Sequence, residues 1–265
     1  MKFGTIASGS SGNCLYVGSE STNLLIDAGI SCKRICQGLG AFDLEGKDIH
    51  GILITHEHSD HISGLGVLSR KFHIPIYGTE KTLRQISEME NLGKIDNNLF
   101  QVIQAGSSFS IRDMSIESFS ISHDAADPVS YAFHEGGTKL GMVTDLGYYD
   151  DTIVGHLKES DLLYIEANHD IHMLQAGPYP YYLKRRILGD RGHLCNEKAA
   201  ELVTELLNDS LKQVILGHLS KENNYAQLAY ETVRLEISLG DNPYRGNDFP
   251  IEVARRDGPS GLVTV

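Results

Sequence analysis

The sequence predicts an α/β fold, and three observations carry that expectation. Short apolar runs rich in Ile and Leu, "LLIDAG", "GILITH" and "IPIYGT", are separated by longer stretches of helical period. Residues 101–145 are strand-rich and broken by turn signals at Pro128 and at Gly136-Gly137, so an antiparallel stretch is embedded among βα units and the sheets should be mixed. With 265 residues, of which 41% are hydrophobic, the chain can bury a substantial core and is expected to form one catalytic domain over 1–265.

In chain order, "MKFGTIASGSSGNCLYVGS" reads as strand and loop, not as the charged, apolar and cleavage-site series of a signal peptide. The strands "LLIDAG" and "GILITH" follow, then a helix over 62–72, the strand "IPIYGT" and a helix over 79–91. "SIESFSISHD", "VSYAFHE" and "KLGMVTDLG" are the strands of the antiparallel stretch. After "DLLYIEAN" an irregular segment leads to a helix with Asn196 as N-cap and an apolar stripe at Ala199, Leu202, Val203, Leu206 and Leu207. "KQVILGH" is a buried strand, "YAQLAYETVRLEISLG" a helix stopped by Gly240, and "IEVARRDGPSGLVTV" a terminal hairpin.

The net charge of −12 argues against a protein that coats nucleic acid with its whole surface, while leaving room for a local basic groove or for metal ions as the anion-facing element. No apolar run approaches the roughly 18 residues that span a bilayer. Cys14, Cys32, Cys36 and Cys195 show no CxxC spacing, which points to reduced thiols and a cytoplasmic location.

The chemistry is concentrated in "THEHSDH", which holds three of the 12 histidines. His56 and His58 are two apart after an apolar run, so in extended geometry they point to one side, and Asp60 and His61 follow as the chain turns into a helix. His123, Asp145 and His218 each follow an apolar run in the same way. Residues at the same edge of a sheet can converge, as α/β folds build their sites.

The ordered series "LLIDAG", "THEHSDH", "SISHD", "MVTDLG" and "ILGHLS" resembles the five motifs of the metallo-β-lactamase superfamily. The resemblance implies an αββα sandwich with a two-metal site on one edge. It implies that His56, His58 and His123 hold one divalent ion, that Asp60, His61 and His218 hold the second, that Asp145 bridges them, and that Asp27 orients ligands. Two divalent ions, two ligand carboxylates and a bridging hydroxide leave a net charge of about +1, which suits an anionic substrate. The nitrogen and oxygen donors suit zinc or manganese alike.

An Asp at 145 resembles hydrolases of phosphoesters and thioesters more than penicillin-degrading members. "DLLYIEANHD" with "RGHLCNEKAAELV" resembles the segment of tRNA 3′-processing nucleases in which a Glu and a His form a proton relay, here Glu166 and His193. "SGSSGNC", "RGHL-NE" and "GHLSKENN" together resemble the YycJ (WalJ) family of Gram-positive bacteria, associated with 5′-to-3′ exonuclease activity on double-stranded DNA. That implies a metal-bridging hydroxide as nucleophile, His193 as general acid and Glu166 and Asp60 as its catalytic carboxylates. Cys195 stands where that pattern has a serine.

"YPYYLKRRILGDR" sets Tyr179, Tyr181 and Tyr182 beside Lys184, Arg185, Arg186 and Arg191, the composition expected of a groove for DNA ends. Tyr181, Arg185, Arg186, Arg191 and Ser220 are the candidate substrate contacts. The competing reading is a small-molecule hydrolase of the same fold, acting on a cyclic phosphodiester or a thioester. It needs no proton relay when the leaving group is a thiolate. Neither reading specifies an oligomeric state.

Overall fold

The computed structural model describes residues 1–265. The chain divides into two compact units, one of Met1–Ser120, Ala125–Gly136 and Arg255–Thr264, the other of Ile121–Asp124, Gly137–Ala254 and Val265.

The first unit begins with strands β1 (Lys2–Ala7), β2 (Cys14–Gly18) and β3 (Asn23–Ile26), paired antiparallel in that order. β4 (Gly51–Leu53), β5 (Ile76–Thr79) and β6 (Phe100–Ile103) then add in parallel. Parallel neighbours need crossovers, supplied by α1 (Cys32–Gly40), by α2 (Ser59–Ile62) with α3 (Leu65–Phe72), and by α4 (Glu80–Glu88). The helices bury Ile35, Leu39, Leu65, Leu68, Leu83 and Ile86 against Leu25, Ile52 and Ile54 of the strand region, so the apolar stripe of each helix meets an apolar run of the sheet. β7 (Ser108–Ile111), β8 (Met114–Ser120) and β9 (Val129–Glu135) form an antiparallel meander.

The second unit holds β10 (Thr138–Val143), β11 (Leu162–Glu166) and β12 (Gln213–Gly217), all parallel. "LLYIE" and "QVILG" are buried along their whole length, as strands covered on both faces must be. α5 (Asp151–Leu157) connects β10 to β11. α6 (Ile171–Ala176), α7 (Tyr181–Ile187) and α8 (Asn196–Leu206) lie between β11 and β12 in the chain. α9 (Ala226–Leu239) leads to β13 (Ile251–Val253). No helix is long and apolar enough to cross a membrane.

Three expectations require correction. The C-terminal segment is not a hairpin: β13 runs parallel to β12, while β14 (Val263–Thr264) pairs antiparallel with β1. Each short strand satisfies the open ladder edge of a longer one, which a hairpin of the two would leave unpaired. The N-cap of α8 is Cys195, whose Sγ accepts from Lys198 N at 3.5 Å. Asn196 is buried one position later, and its amide is taken up by Asn224. The helix expected over 62–72 is α3, which begins at Leu65 instead of Ile62, because Ile62 ends the short α2 and Ser63-Gly64 separate the two. Gly64 makes this close approach possible, since a Cβ there would lie 1.9 Å from the carbonyl oxygen of Ile30.

Candidate active site

In the first unit the chain leaves β4 directly into "THEHSDH", and the side chains around it set proton positions. Thr55 has one hydroxyl proton, which it donates to Asp27 Oδ2 at 2.8 Å, and its backbone N–H donates to Asp27 Oδ1 at 2.8 Å. Thr55 Oγ1 is therefore left as an acceptor for Nδ1 of His56, 3.0 Å away. Nδ1 of His61 donates to Asp27 Oδ2 at 2.7 Å. Both imidazoles thus carry their proton on Nδ1 and present the Nε2 lone pair, the form that binds a cation. Burial pushes the Asp27 carboxyl up, against the downward pull of His61 and Thr55.

The rings of His56 and His58 lie 4.5 Å apart and those of His56 and His61 4.1 Å apart, so the three histidines gather as the spacing implied. Asp60 Oδ2 is 3.6 Å from His61 Nε2. The "SGSSGN" loop braces this segment. Asn13 accepts from Gly9 N at 2.9 Å, donates its backbone N–H to Asp60 O at 2.7 Å, and places its amide nitrogen 3.1 Å from His61 Nε2.

In the second unit Asp145 follows the end of β10, with Thr144 Oγ1 donating to its Oδ2 at 2.7 Å. Nε2 of His123 lies 4.0 Å from Asp145 Oδ1, and Nε2 of His218 lies 3.4 Å from the same oxygen. Nδ1 of His123 is held by Gly192 O at 3.1 Å, and Nδ1 of His218 by Glu166 Oε1 at 2.9 Å. Here too the Nδ1 edge is committed and the Nε2 edge is turned toward a carboxylate.

Glu166 and His193 are brought together as the sequence implied, with His193 Nδ1 2.8 Å from Glu166 Oε1. Oε2 of the same carboxylate accepts from Leu146 N at 3.0 Å and Leu194 N at 3.2 Å. Glu166 is fully buried. Burial would raise its pKa, but the charge and hydrogen bonds of His193 and His218 outweigh it and hold the group ionised, well below the usual carboxylate range. Asp145, Glu166, His193 and His218 offer ligand atoms that all lie within 4.8 Å of one another. Imidazoles with oriented Nδ1–H groups, set beside carboxylates, are the donor set of a divalent cation, which binds them once Nε2 is unprotonated.

Asp27, Asp145 and His218, each at or just past a strand end, have φ values of 60°, 56° and 54°. These left-handed conformations turn the chain sharply where regular pairing stops, and no sequence pattern announces them.

The expected substrate contacts are less uniform. Tyr181 and Tyr182 on α7 are 76% and 74% exposed, and the Arg185 guanidinium lies 6.0 Å from the centre of the Tyr181 ring. Arg186 makes two hydrogen bonds to Asp124, at 2.5 and 2.9 Å, so its charge is already matched. Arg191 is exposed. Ser220 departs from expectation. It is 5% exposed, and its Oγ accepts from Asn223 N at 3.3 Å within a turn.

Several supporting residues escaped sequence reasoning. Thr55 sets the His56 proton, and Asn168 donates to the backbone oxygen of His218 at 2.9 Å. Asn196 and Asn224 exchange amide hydrogen bonds at 3.1 and 2.8 Å, and Asn224 also donates to Ala167 O at 2.8 Å, tying the chain after β11 to the start of α8. The only signal available was that both asparagines sit in "CNEK" and "KENN" beside the site motifs.

A family profile described as a β-lactamase superfamily domain matches residues 22–219. The zinc-bound PqqB of Methylobacterium extorquens is superimposable at a TM-score of 0.73 and 15% identity over the whole of both chains, a likeness of fold. The exodeoxyribonuclease YycJ of Bacillus anthracis is 44% identical over 88% of both chains, and the exodeoxyribonuclease WalJ of Streptococcus pneumoniae 42% identical over 100% of this chain and 98% of its own. The chain therefore belongs to the metallo-β-lactamase superfamily and, within it, to the family of the YycJ and WalJ proteins. It is a metal-dependent hydrolase, with the α/β fold class of two mixed sheets and flanking helices that the sequence predicts.

Proposed function

We propose that the chain is a two-metal phosphodiesterase that degrades double-stranded DNA from its ends, 5′ to 3′, in the cytoplasm, with residues 1–265 working as one catalytic domain. In this reading His56, His58 and His123 hold one ion, Asp60, His61 and His218 the other, and Asp145 is shared. The ions are divalent zinc or manganese. When bound, they polarise the phosphate and supply an activated water.

The observation that carries the nuclease reading is the 2.8 Å contact between His193 Nδ1 and Glu166. A phosphodiester departs as an alkoxide, a poor leaving group that needs a proton. An imidazolium anchored at Nδ1 by a buried, ionised carboxylate can deliver that proton from Nε2. A thiolate would leave unaided, so the relay favours a phosphodiester over a thioester. The exposed Tyr181 with Arg185 and Arg191 supplies base faces and phosphate partners for the strand. The names of the YycJ and WalJ relatives agree with a deoxyribonuclease.

The test compares two substrates in His193→Ala. Metal content should be retained while cleavage of end-labelled duplex DNA slows by roughly 10² to 10⁴. Bis-p-nitrophenyl phosphate, with its good leaving group, should suffer much less. Equal losses on both would overturn the general-acid role.

A further inference from the structure

Within the second unit, three consecutive residues bind the stretch of chain that ends at His193. Ser122 Oγ donates to Asp190 O at 2.7 Å, and Nδ1 of His123 donates to Gly192 O at 3.1 Å. Asp124 accepts from Nε and Nη2 of Arg186 at 2.5 and 2.9 Å, one bond to each carboxylate oxygen. The stretch is itself folded back on the end of α7, where Gly192 N donates to Gly189 O at 2.8 Å and His193 N to Ile187 O at 3.0 Å. The segment that carries Asp145 closes on the same stretch. Gly147 N donates to Ser122 O at 2.9 Å, and a Cβ on Gly147 would lie 2.3 Å from Asp190 O, so only glycine fits there.

Glu166 grips the ring of His193; these bonds grip the backbone that carries the ring. The distinction matters because a general acid must lie within hydrogen-bond reach of the oxygen it protonates, and a misplacement of about 1 Å can cost 10²-fold in rate. The side chains of Arg186 and Asp124 are 46% and 34% exposed. An ion pair so exposed adds little to stability. Two parallel N–H···O bonds to one carboxylate nevertheless fix a direction as well as a distance, and Arg186 is one residue from the end of α7, from which the His193 loop departs.

We propose that Arg186 is a positioning residue for the general acid and not a contact to DNA. Held by Asp124, it docks the end of α7 and the loop behind it on the segment that carries His123, and thereby places His193. Adjacent arginines divide the work: Arg185, over the exposed Tyr181, serves the strand, and Arg186 serves the acid. The inference rests on the nuclease reading for the role of His193.

The experiment compares Arg186→Lys and Arg186→Ala with the unaltered metal-loaded protein, and repeats both in the His193→Ala background. Lysine keeps the charge that a phosphate needs but has no planar fork, so the two possible roles of Arg186 separate. Arg186→Lys should lower kcat on end-labelled duplex DNA roughly threefold to tenfold, the worth of one net hydrogen bond, with KM and metal content preserved. Arg186→Ala should lower kcat by up to about 10². Bis-p-nitrophenyl phosphate, which needs little protonation, should be cleaved by both variants at close to the unaltered rate. DNA affinity and its salt dependence, measured in the slow His193→Ala background, should be unchanged by Arg186→Lys. Neither substitution should slow DNA cleavage further in that background, since no acid is left to place. Full activity in Arg186→Lys together with weakened DNA binding in Arg186→Ala would make Arg186 a phosphate contact and overturn the proposal, as would losses that multiply in the double variants. The nuclease reading is judged separately: equal losses of His193→Ala on the two substrates would remove the acid role, whereas losses that fail to multiply would still uphold the placement of His193 by Arg186.

Discussion

Glu166 Oε1 lies 2.8 Å from His193 Nδ1, and the same oxygen is 2.9 Å from Nδ1 of His218. A single carboxylate oxygen therefore orients both the proposed acid and a proposed ligand. Glu166→Gln should weaken metal binding by about 10- to 100-fold, the usual effect of losing a ligand's hydrogen-bond partner, and should slow DNA cleavage by at least ~10². Because the two effects share one group, the Glu166→Gln/His193→Ala double variant should be much less impaired than the product of the single losses. Metal titration together with rates for the three variants checks this; independent, multiplicative losses would show that His193 acts apart from Glu166.

Asp145 Oδ1 is approached by Nε2 of both His123 and His218, at 4.0 and 3.4 Å. Asp145→Ala should therefore lose at least one of two bound ions in elemental analysis. Retention of two ions with full activity would remove Asp145 from the centre.

The two arginines of α7 should behave differently toward DNA. Arg185 lies over the exposed Tyr181, whereas Arg186 is bound twice by Asp124. Arg185→Ala should reduce the salt dependence of binding by close to ~0.9 in slope, the release of one counterion, and Arg186→Ala by less. Affinities measured between 50 and 200 mM salt, about the range over which the effect is large, would reveal equal slopes for both variants if α7 faces elsewhere.

Burial, offset in part by Glu166, lowers the His169 pKa to about 4, against about 6.5 for an ordinary imidazole. Between those values the unfolded chain binds a proton that the folded chain refuses. The contribution to stability is complete above about 6.5 and is lost as pH falls toward 4, up to about 3 kcal/mol in all. Denaturant unfolding of metal-free protein from pH 7 to 4.5 should show this decline, and His169→Phe should flatten it. An unchanged slope in the variant would locate the titrating group elsewhere.

Much of the site was readable because its ligand types are rare and crowd after apolar runs. "THEHSDH" could be read as a cluster, and it is one, with the His56, His58 and His61 rings together. Glu166 and His193 were legible only through their resemblance to a known segment, since 27 positions separate them and no local period links them. Thr55 and Asn168 were not legible at all: their roles depend on which way a hydroxyl or amide is already committed, and that follows from tertiary neighbours. The terminal strands were misread for a related reason. "IEV" and "GLVTV" carry the right residue types for strands, but their partners, β12 and β1, are chosen by open sheet edges far away in the chain.

The left-handed backbone at Asp145 and His218 sets a limit on how this protein can be improved by selection. Such conformations cost a side-chain-bearing residue about 1–2 kcal/mol that glycine does not incur, and the Asp145 carboxylate is buried as well. A library screened for heat tolerance in the presence of a chelator would therefore enrich glycine at position 145, and the survivors would be thermally robust and inactive. Selection schemes for this fold would have to reward turnover in every round, because two of the proposed metal ligands, Asp145 and His218, hold a backbone conformation that burdens the folded chain.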